Sequence, residues 1–301
     1  MPWRKGRRLP LVRESEANGE TLQVYEQAKQ ILGVPYVSAM FRALAVYPKF
    51  LELFWQSVRP ALETQQFFHL GDRLRAEAYT CVHNYLSLPE LSAARDLPRE
   101  TQQEIRETIE IFHYLDPLML LLATTQMAAF ERPVGQLPAG KTPAQHPIFV
   151  RPPLLAEEET ASPEAKAIYE DMKPAFGSTA LNTAYLALGR FPEFLENYWK
   201  VLKPITQSPL YTLSHAGVRE TAWALVSEFP APVELSSGRL SDIGLAAEEI
   251  TAVARISELF VEGLSRRIVN VAVAKICVEG GNSQVETPPV PQGQGEPEQA
   301  A

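Results

Sequence analysis

The stretch from Glu20 to Leu62 occurs twice in this chain. Its second copy begins at Glu164 and runs to about Ile205, at a constant offset of 144 residues. Val24-Tyr25-Glu26 returns as Ile168-Tyr169-Glu170. Phe41, Ala43 and Leu44 return as Tyr185, Ala187 and Leu188. The block from Tyr47 through Pro48 to Trp55 returns as Phe191 through Pro192 to Trp199, and no gap is needed across the match. A repeat of this length constrains architecture before any local signal does. It predicts two equivalent halves facing each other across a cleft.

The local signals are helical. Residues 20–32 carry Leu22, Tyr25, Ala28 and Ile31 on one stripe, and Gly33 and Pro35 end it. Pro48 stands where proline favours a helix start, and Phe50, Leu51, Phe54, Trp55 and Val58 share one face after it. Residues 69–86 read as a further helix, with a counterpart at about 213–229. The next pair falls at a slightly longer offset of 148: a helix opening at Pro98 and ending near Asp116-Pro117, matched by 247–260. Leu118 to Ala123 is apolar on all sides and reads as a separate, central buried helix, matched by 264–277. Alternating strand patterns are not evident. The expectation is an all-α fold of two tandem helical repeats related by a pseudo-twofold axis. Its parts are an N-terminal segment 1–19, a first repeat 20–130, a Pro-rich linker 131–163, a second repeat 164–278 and a disordered tail 279–301. Residues 229–242, rich in Pro, Ser and Gly, read as irregular.

Composition narrows the function classes. With 36 acidic and 28 basic residues the net charge is -8, which argues against a nucleic-acid partner. Cys81 and Cys277 form no CxxC pair, so dithiol redox or zinc-thiolate chemistry is not expected, and both read as buried small hydrophobes. No apolar run reaches membrane-span length, and the basic start is not followed by a signal-peptide core, so a cytoplasmic protein is expected. His69, His83, His146 and His215 share no spacing suited to a metal. Neither a metal nor a cofactor is expected.

Several segments carry a family resemblance: Val34-Pro35-Tyr36-Val37, Arg42-Ala43-Leu44-Ala45, Phe112-His113-Tyr114-Leu115-Asp116-Pro117 and Arg132-Pro133-Val134-Gly135. In order and spacing, over about residues 18–278, the chain resembles the group I 2-haloacid dehalogenases, the DehI family. The resemblance implies an all-helical fold around a central cleft and hydrolysis of small 2-haloalkanoic acids. In that chemistry an aspartate activates a water that displaces halide directly, with inversion. The family aspartate falls at Ala184 here, and Lys173 to Phe191 contains no Asp or Glu. The resemblance also places a pocket serine at Thr183, a tryptophan at Tyr36, a tyrosine at Phe260, a further lining position at Leu264 and an asparagine at Asp116.

Two residues could supply the missing base. Asp116 is the carboxylate on a family pocket position, with helix capping before Pro117 as its alternative role. His113 has the right chemistry at neutral pH, with a structural hydrogen bond as the alternative. Tyr36, Asn182, Thr183, Ala184, Phe260 and Leu264 are the expected pocket or substrate-binding residues. Asn182 and Thr183 also stand where a helix cap would. The partner implied is a small carboxylic acid, as substrate or as the ligand of an inactive relative; a helical interaction module and a homodimer are further options. A peroxidase-related helical fold of the AhpD type uses helical repeats too, but Cys81-Val82-His83 lacks its paired cysteine.

Overall fold

The computed structural model describes residues 9–86, 94, 97–138 and 142–279. These form eleven α-helices, with no strand among the described residues beyond isolated bridges such as Val134 to Val233. The expected all-α class holds. The first five helices are α1 (Gly19–Leu32), α2 (Ala39–Leu44), α3 (Pro48–Leu62), α4 (Gln65–Tyr85) and α5 (Arg99–Glu131). Next in the chain come α6 (Pro163–Ala175), α7 (Thr183–Leu188), α8 (Pro192–Thr206) and α9 (Pro209–Leu225). A short α10 (Ser237–Asp242) and a long α11 (Ala247–Glu279) complete the described chain. The expected disordered tail lies outside the described residues, apart from Glu279.

The helix starts follow from local chemistry. Pro48, Pro163, Pro192 and Pro209 occupy first helical positions, where their missing N–H is not needed. Ser38, Thr64, Ser162, Asn182, Ser208 and Ser236 accept hydrogen bonds from first-turn amides of the helices they precede. Gly33 ends α1 in the left-handed region, at φ 64°.

Three sequence expectations are corrected here. No helix begins after Asp116-Pro117; α5 runs unbroken through Pro117, and Asp116 is mid-helix rather than a cap. Proline cannot donate to the carbonyl four residues back, here that of His113. The Arg75 Nε of α4 donates to that same carbonyl oxygen at 3.1 Å. The lost bond is thereby replaced from a neighbouring helix, and the chain stays helical. In the same way 247–260 and 264–277 are one helix, α11, because nothing between them interrupts the backbone ladder. The irregular reading of 229–242 also changes at its end, where α10 forms behind its Ser236 cap.

Every residue of α5 from Ile111 to Gln126 is buried, as the apolar run within it requires. α11 packs antiparallel against it: Asp116 pairs with Arg267, and Glu110 with Lys275. α4 lies against α9, with the place of a Gly217 side chain taken up by Cys81 Sγ. Both cysteines are buried, as expected.

Particular hydrogen bonds recur at the sequence offset. The Tyr25 hydroxyl donates to the Val12 carbonyl at 3.0 Å, and Tyr169, 144 residues on, donates to Ala156 at 2.9 Å. Trp55 Nε1 donates to Gln27 at 2.7 Å, and Trp199 to Asp171 at 2.8 Å. Each tryptophan therefore ties α1 to α3, or α6 to α8.

Arg75→Met should cost about 1–3 kcal/mol in chemical denaturation, because the buried His113 carbonyl loses its donor. An unchanged midpoint would show that α5 tolerates Pro117 without help. At the end of α7, a Cβ on Gly189 would sit 1.7 Å from the Tyr169 hydroxyl. Gly189→Ala should therefore displace that ring and lower stability by about 1–3 kcal/mol. Its sequence counterpart Ala45 carries the methyl group that position 189 has no room for.

Candidate functional site

α2, α5, α7 and α11 converge on a narrow cleft. Tyr36, Ser38 and Met40 line it from around α2, Thr183 from the start of α7, Phe112, Asp116 and Met119 from α5, and Phe260, Leu264 and Arg267 from α11. The free space is about 20 Å³, room for little more than one water. Tyr36, Asp116, Thr183, Phe260 and Leu264 thus meet in one place, from four separated parts of the sequence.

The centre of the cleft is an ion pair. Arg267 grips Asp116 in a bidentate fork: Nε donates to Oδ2 at 2.6 Å, and a terminal amine donates to Oδ1. The Asp116 side chain is 1% exposed and that of Arg267 15%. Burial pushes the Asp116 carboxyl above its ordinary value, while the charge and hydrogen bonds of Arg267 pull it back. For Arg267 the order is reversed in sign: burial opposes its charge, and Asp116 more than restores it, raising the guanidinium. The geometry of two parallel charge-assisted bonds makes this an ion pair at neutral pH. A carboxylate has about four lone-pair sites, so the fork leaves Asp116 capacity to accept from a water.

Tyr36 stands beside the pair. Burial raises its hydroxyl, Asp116 adds to that, and Arg267 opposes it. Behind Arg267, Asn270 organises three tyrosines. Its Nδ2 donates to the Tyr185 hydroxyl at 2.6 Å, its Oδ1 accepts from Tyr211 at 2.9 Å, and its carbonyl accepts from Tyr198 at 2.8 Å. This network fixes the turn of α11 that follows Arg267. Tyr185, an aromatic on the second copy, belongs to the network and not to the cleft wall.

Asn182 does not line the cleft. Its Oδ1 accepts from the amides of Ala184 and Tyr185, at 3.0 and 3.4 Å, so it caps α7. Ala184 follows, 3% exposed, with only a methyl group. His113 also lies outside the cleft wall. Its ring meets the Tyr79 hydroxyl at 3.1 Å and Glu110 at 3.5 Å. Burial lowers the His113 pKa. Burial acts to raise Glu110, but His113 and then Lys275 overcome it and hold the carboxyl at about 2. This cluster joins α4, α5 and α11, the structural role open to His113 in the sequence.

A wider groove of about 630 Å³ lies elsewhere, between α3 and residues 137–138, 142–143 and 230–232. Its walls include Pro60, Pro138, Pro143, Pro230 and Pro232. Its charged groups are already engaged, Glu63 by Arg59 and Arg239 by the Glu234 carbonyl. Convergent chemistry, not volume, selects the smaller cleft. Among the described residues no three His, Cys, Asp or Glu side chains are placed to hold a metal, and no helix is long and apolar enough to cross a membrane.

Arg267 is the residue the sequence reading missed. Its signal is an arginine within the apolar run of 264–277, facing a helix whose own apolar run carries Asp116. Neither residue stands out until α5 and α11 are set antiparallel.

Comparison with known proteins gives the family. A family model described as "Halocarboxylic acid dehydrogenase DehI" matches residues 35–185. An (R)-2-haloacid dehalogenase of Pseudomonas putida is 24% identical over 271 residues, 86% of this chain and 89% of that one. An (R)-2-haloacid dehalogenase of Rhizobium sp. (strain NHG3) is 28% identical over 236 residues, 75% of this chain and 91% of that one. A solved D-2-haloacid dehalogenase in complex with L-LA superposes with a TM-score of 0.83 at 25% identity, covering 91% of this chain and 97% of the other. With half of its length matched by the family model, and relatives named as 2-haloacid dehalogenases, the chain belongs to the DehI family.

Proposed function

We propose that the cleft takes a small 2-haloalkanoic acid and displaces its halide by direct attack of water, with Asp116 as the base. The observation that carries this reading is that Asp116 is the one carboxylate among the residues lining the cleft. Position 184, where the family resemblance places the catalytic aspartate, offers a methyl group. In the step proposed, a water oxygen forms a bond to C2 from behind the C–halogen bond. Halide leaves with the bonding pair, one water proton passes to Asp116, and the product is a 2-hydroxy acid of inverted configuration. Desolvation favours this use of Asp116, because a carboxylate held away from water is a stronger base. Met40, Met119, Phe260 and Leu264 supply an apolar wall for the halogen.

The helix pattern supports a matching account of the scaffold. α2 and α3 map onto α7 and α8 at 144 residues, and α5 maps onto α11 at 148, end to end. We read these as two tandem halves related by a pseudo-twofold axis, with the cleft where the long helices of the halves cross. In that register Asp116 matches Leu264, and Met119 matches Arg267.

A second reading has its own observation. Both oxygens of Asp116 already lie on Arg267, which weakens the base. A protein in which that pair stays closed during the encounter would bind a small carboxylate without turning it over.

Chloride release from (R)- and (S)-2-chloropropionate separates the two. Under the first reading one enantiomer releases chloride, and Asp116→Asn lowers the rate by about 100- to 10,000-fold, the usual worth of a general base. No release from either enantiomer would sink it; Ala184→Asp should then confer release, because it returns a carboxylate to the family position. The pH profile carries a sign as well. A base must be unprotonated, and burial raises the Asp116 carboxyl. Activity should hold at higher pH and fall as pH drops through an acid limb above the ordinary carboxylate range. The same limb persisting in the residual activity of Asp116→Asn would assign it to another group.

A further inference from the structure

We propose that Arg267 anchors the carboxylate of the ligand, and that the ligand reaches it by taking the place of Asp116. The inference rests on reading the cleft as a small-acid site, but it does not require that halide be displaced.

Three observations carry it. First, Arg267 is the one cation among the cleft-lining residues, and its fork is already occupied by a carboxylate in the geometry a ligand carboxylate would adopt. Asp116 therefore shows the bound pose in its own side chain. Second, the free space beside the pair is about 20 Å³, too little for a three-carbon acid. Entry of an acid requires something in the cleft to move. The Asp116 carboxylate is the group whose displacement frees both room and donors. Third, the residues around the pair divide by chemistry. Tyr36 and Thr183, both hydroxyl-bearing, line the cleft. Met40, Met119, Phe260 and Leu264 offer only apolar surface. A ligand with one carboxylate and one compact apolar substituent satisfies both parts.

This assigns direction as well as identity. The carboxylate lies toward Arg267, with the Tyr36 hydroxyl as the neighbouring donor, and the substituent at C2 lies toward the methionine and leucine side. A dicarboxylate would place its second charge on the apolar wall, and a neutral amide would leave Asp116 on its guanidinium. The ligand class is the short monocarboxylate.

Isothermal titration with propionate, which has no halogen to lose, tests the anchor apart from any reaction. Wild-type protein should bind propionate and should not bind propionamide detectably. Asp116→Asn removes the competing carboxylate while keeping its shape, and should bind propionate about tenfold more tightly. The double variant Asp116→Asn/Arg267→Gln leaves no unpaired buried charge to threaten the fold. It should lose about 10- to 100-fold in affinity relative to Asp116→Asn. Equal affinity of those two variants would overturn the proposal, as would wild-type binding of propionamide as tight as that of propionate. Weaker binding by Asp116→Asn than by wild type would overturn the exchange. Propionate binding without chloride release from 2-chloropropionate would leave the anchor standing and sink the proposed hydrolysis. Chloride release with an unchanged KM in Arg267→Gln would do the opposite.

Discussion

Pro117 removes a backbone donor from the middle of a helix that is buried on every side, and the rest of the structure depends on how that loss is repaired. Left alone, the His113 carbonyl would be a buried acceptor without a partner, which costs enough to favour a break at this point. Arg75 reaches it from α4, and α5 runs unbroken for 33 residues in all. A helix of that length spans about 50 Å. It can therefore pair with Lys275 near one end of α11 and with Arg267 further along. The continuity of α5 puts Asp116 against α11 at mid-length, where a broken helix would have left it as a cap on a loop.

Much of the scaffold was legible in the sequence because it rests on pattern. The 144-residue offset appears in side chains and again in hydrogen bonds such as those of Tyr25 and Tyr169. Proline at a first helical position and Ser, Thr or Asn before it set starts that needed no tertiary information. The two misplaced helix breaks have different causes. At Asp116-Pro117 the local rule gives a start, and only the distant Arg75 overrides it. Near 261–263 the sequence changes from amphipathic to apolar character, and the single Gly263 there does not interrupt α11.

The site was less legible because its chemistry is pairwise. Tyr36, Thr183, Phe260 and Leu264 were placed by resemblance, position by position, and they meet. His113 looked chemically apt, yet nothing in one sequence says that Tyr79 and Glu110 surround its ring. Arg267 was invisible because its meaning lies in Asp116, 151 residues away. An aspartate in one apolar run and an arginine in another are each anomalous; together they are a single neutral feature. Such a pair contributes little net stability once desolvation is counted, and removing either partner alone is costly. That makes the two residues interdependent.

The closed ion pair also bears on how fast a ligand can arrive. A bare buried arginine would project a positive field into its opening and draw anions from beyond contact distance. Held by Asp116, the guanidinium is neutralised, and the surrounding chain carries a net charge of -8. An approaching acid meets no long-range attraction, and the favourable term appears only once the exchange at Arg267 is under way. Capture is then governed by the opening of the pair and not by diffusion through a steering field. Its rate should not fall as salt is added, in contrast to a capture steered by a bare arginine, because the long-range field left for salt to screen is the chain's own negative charge.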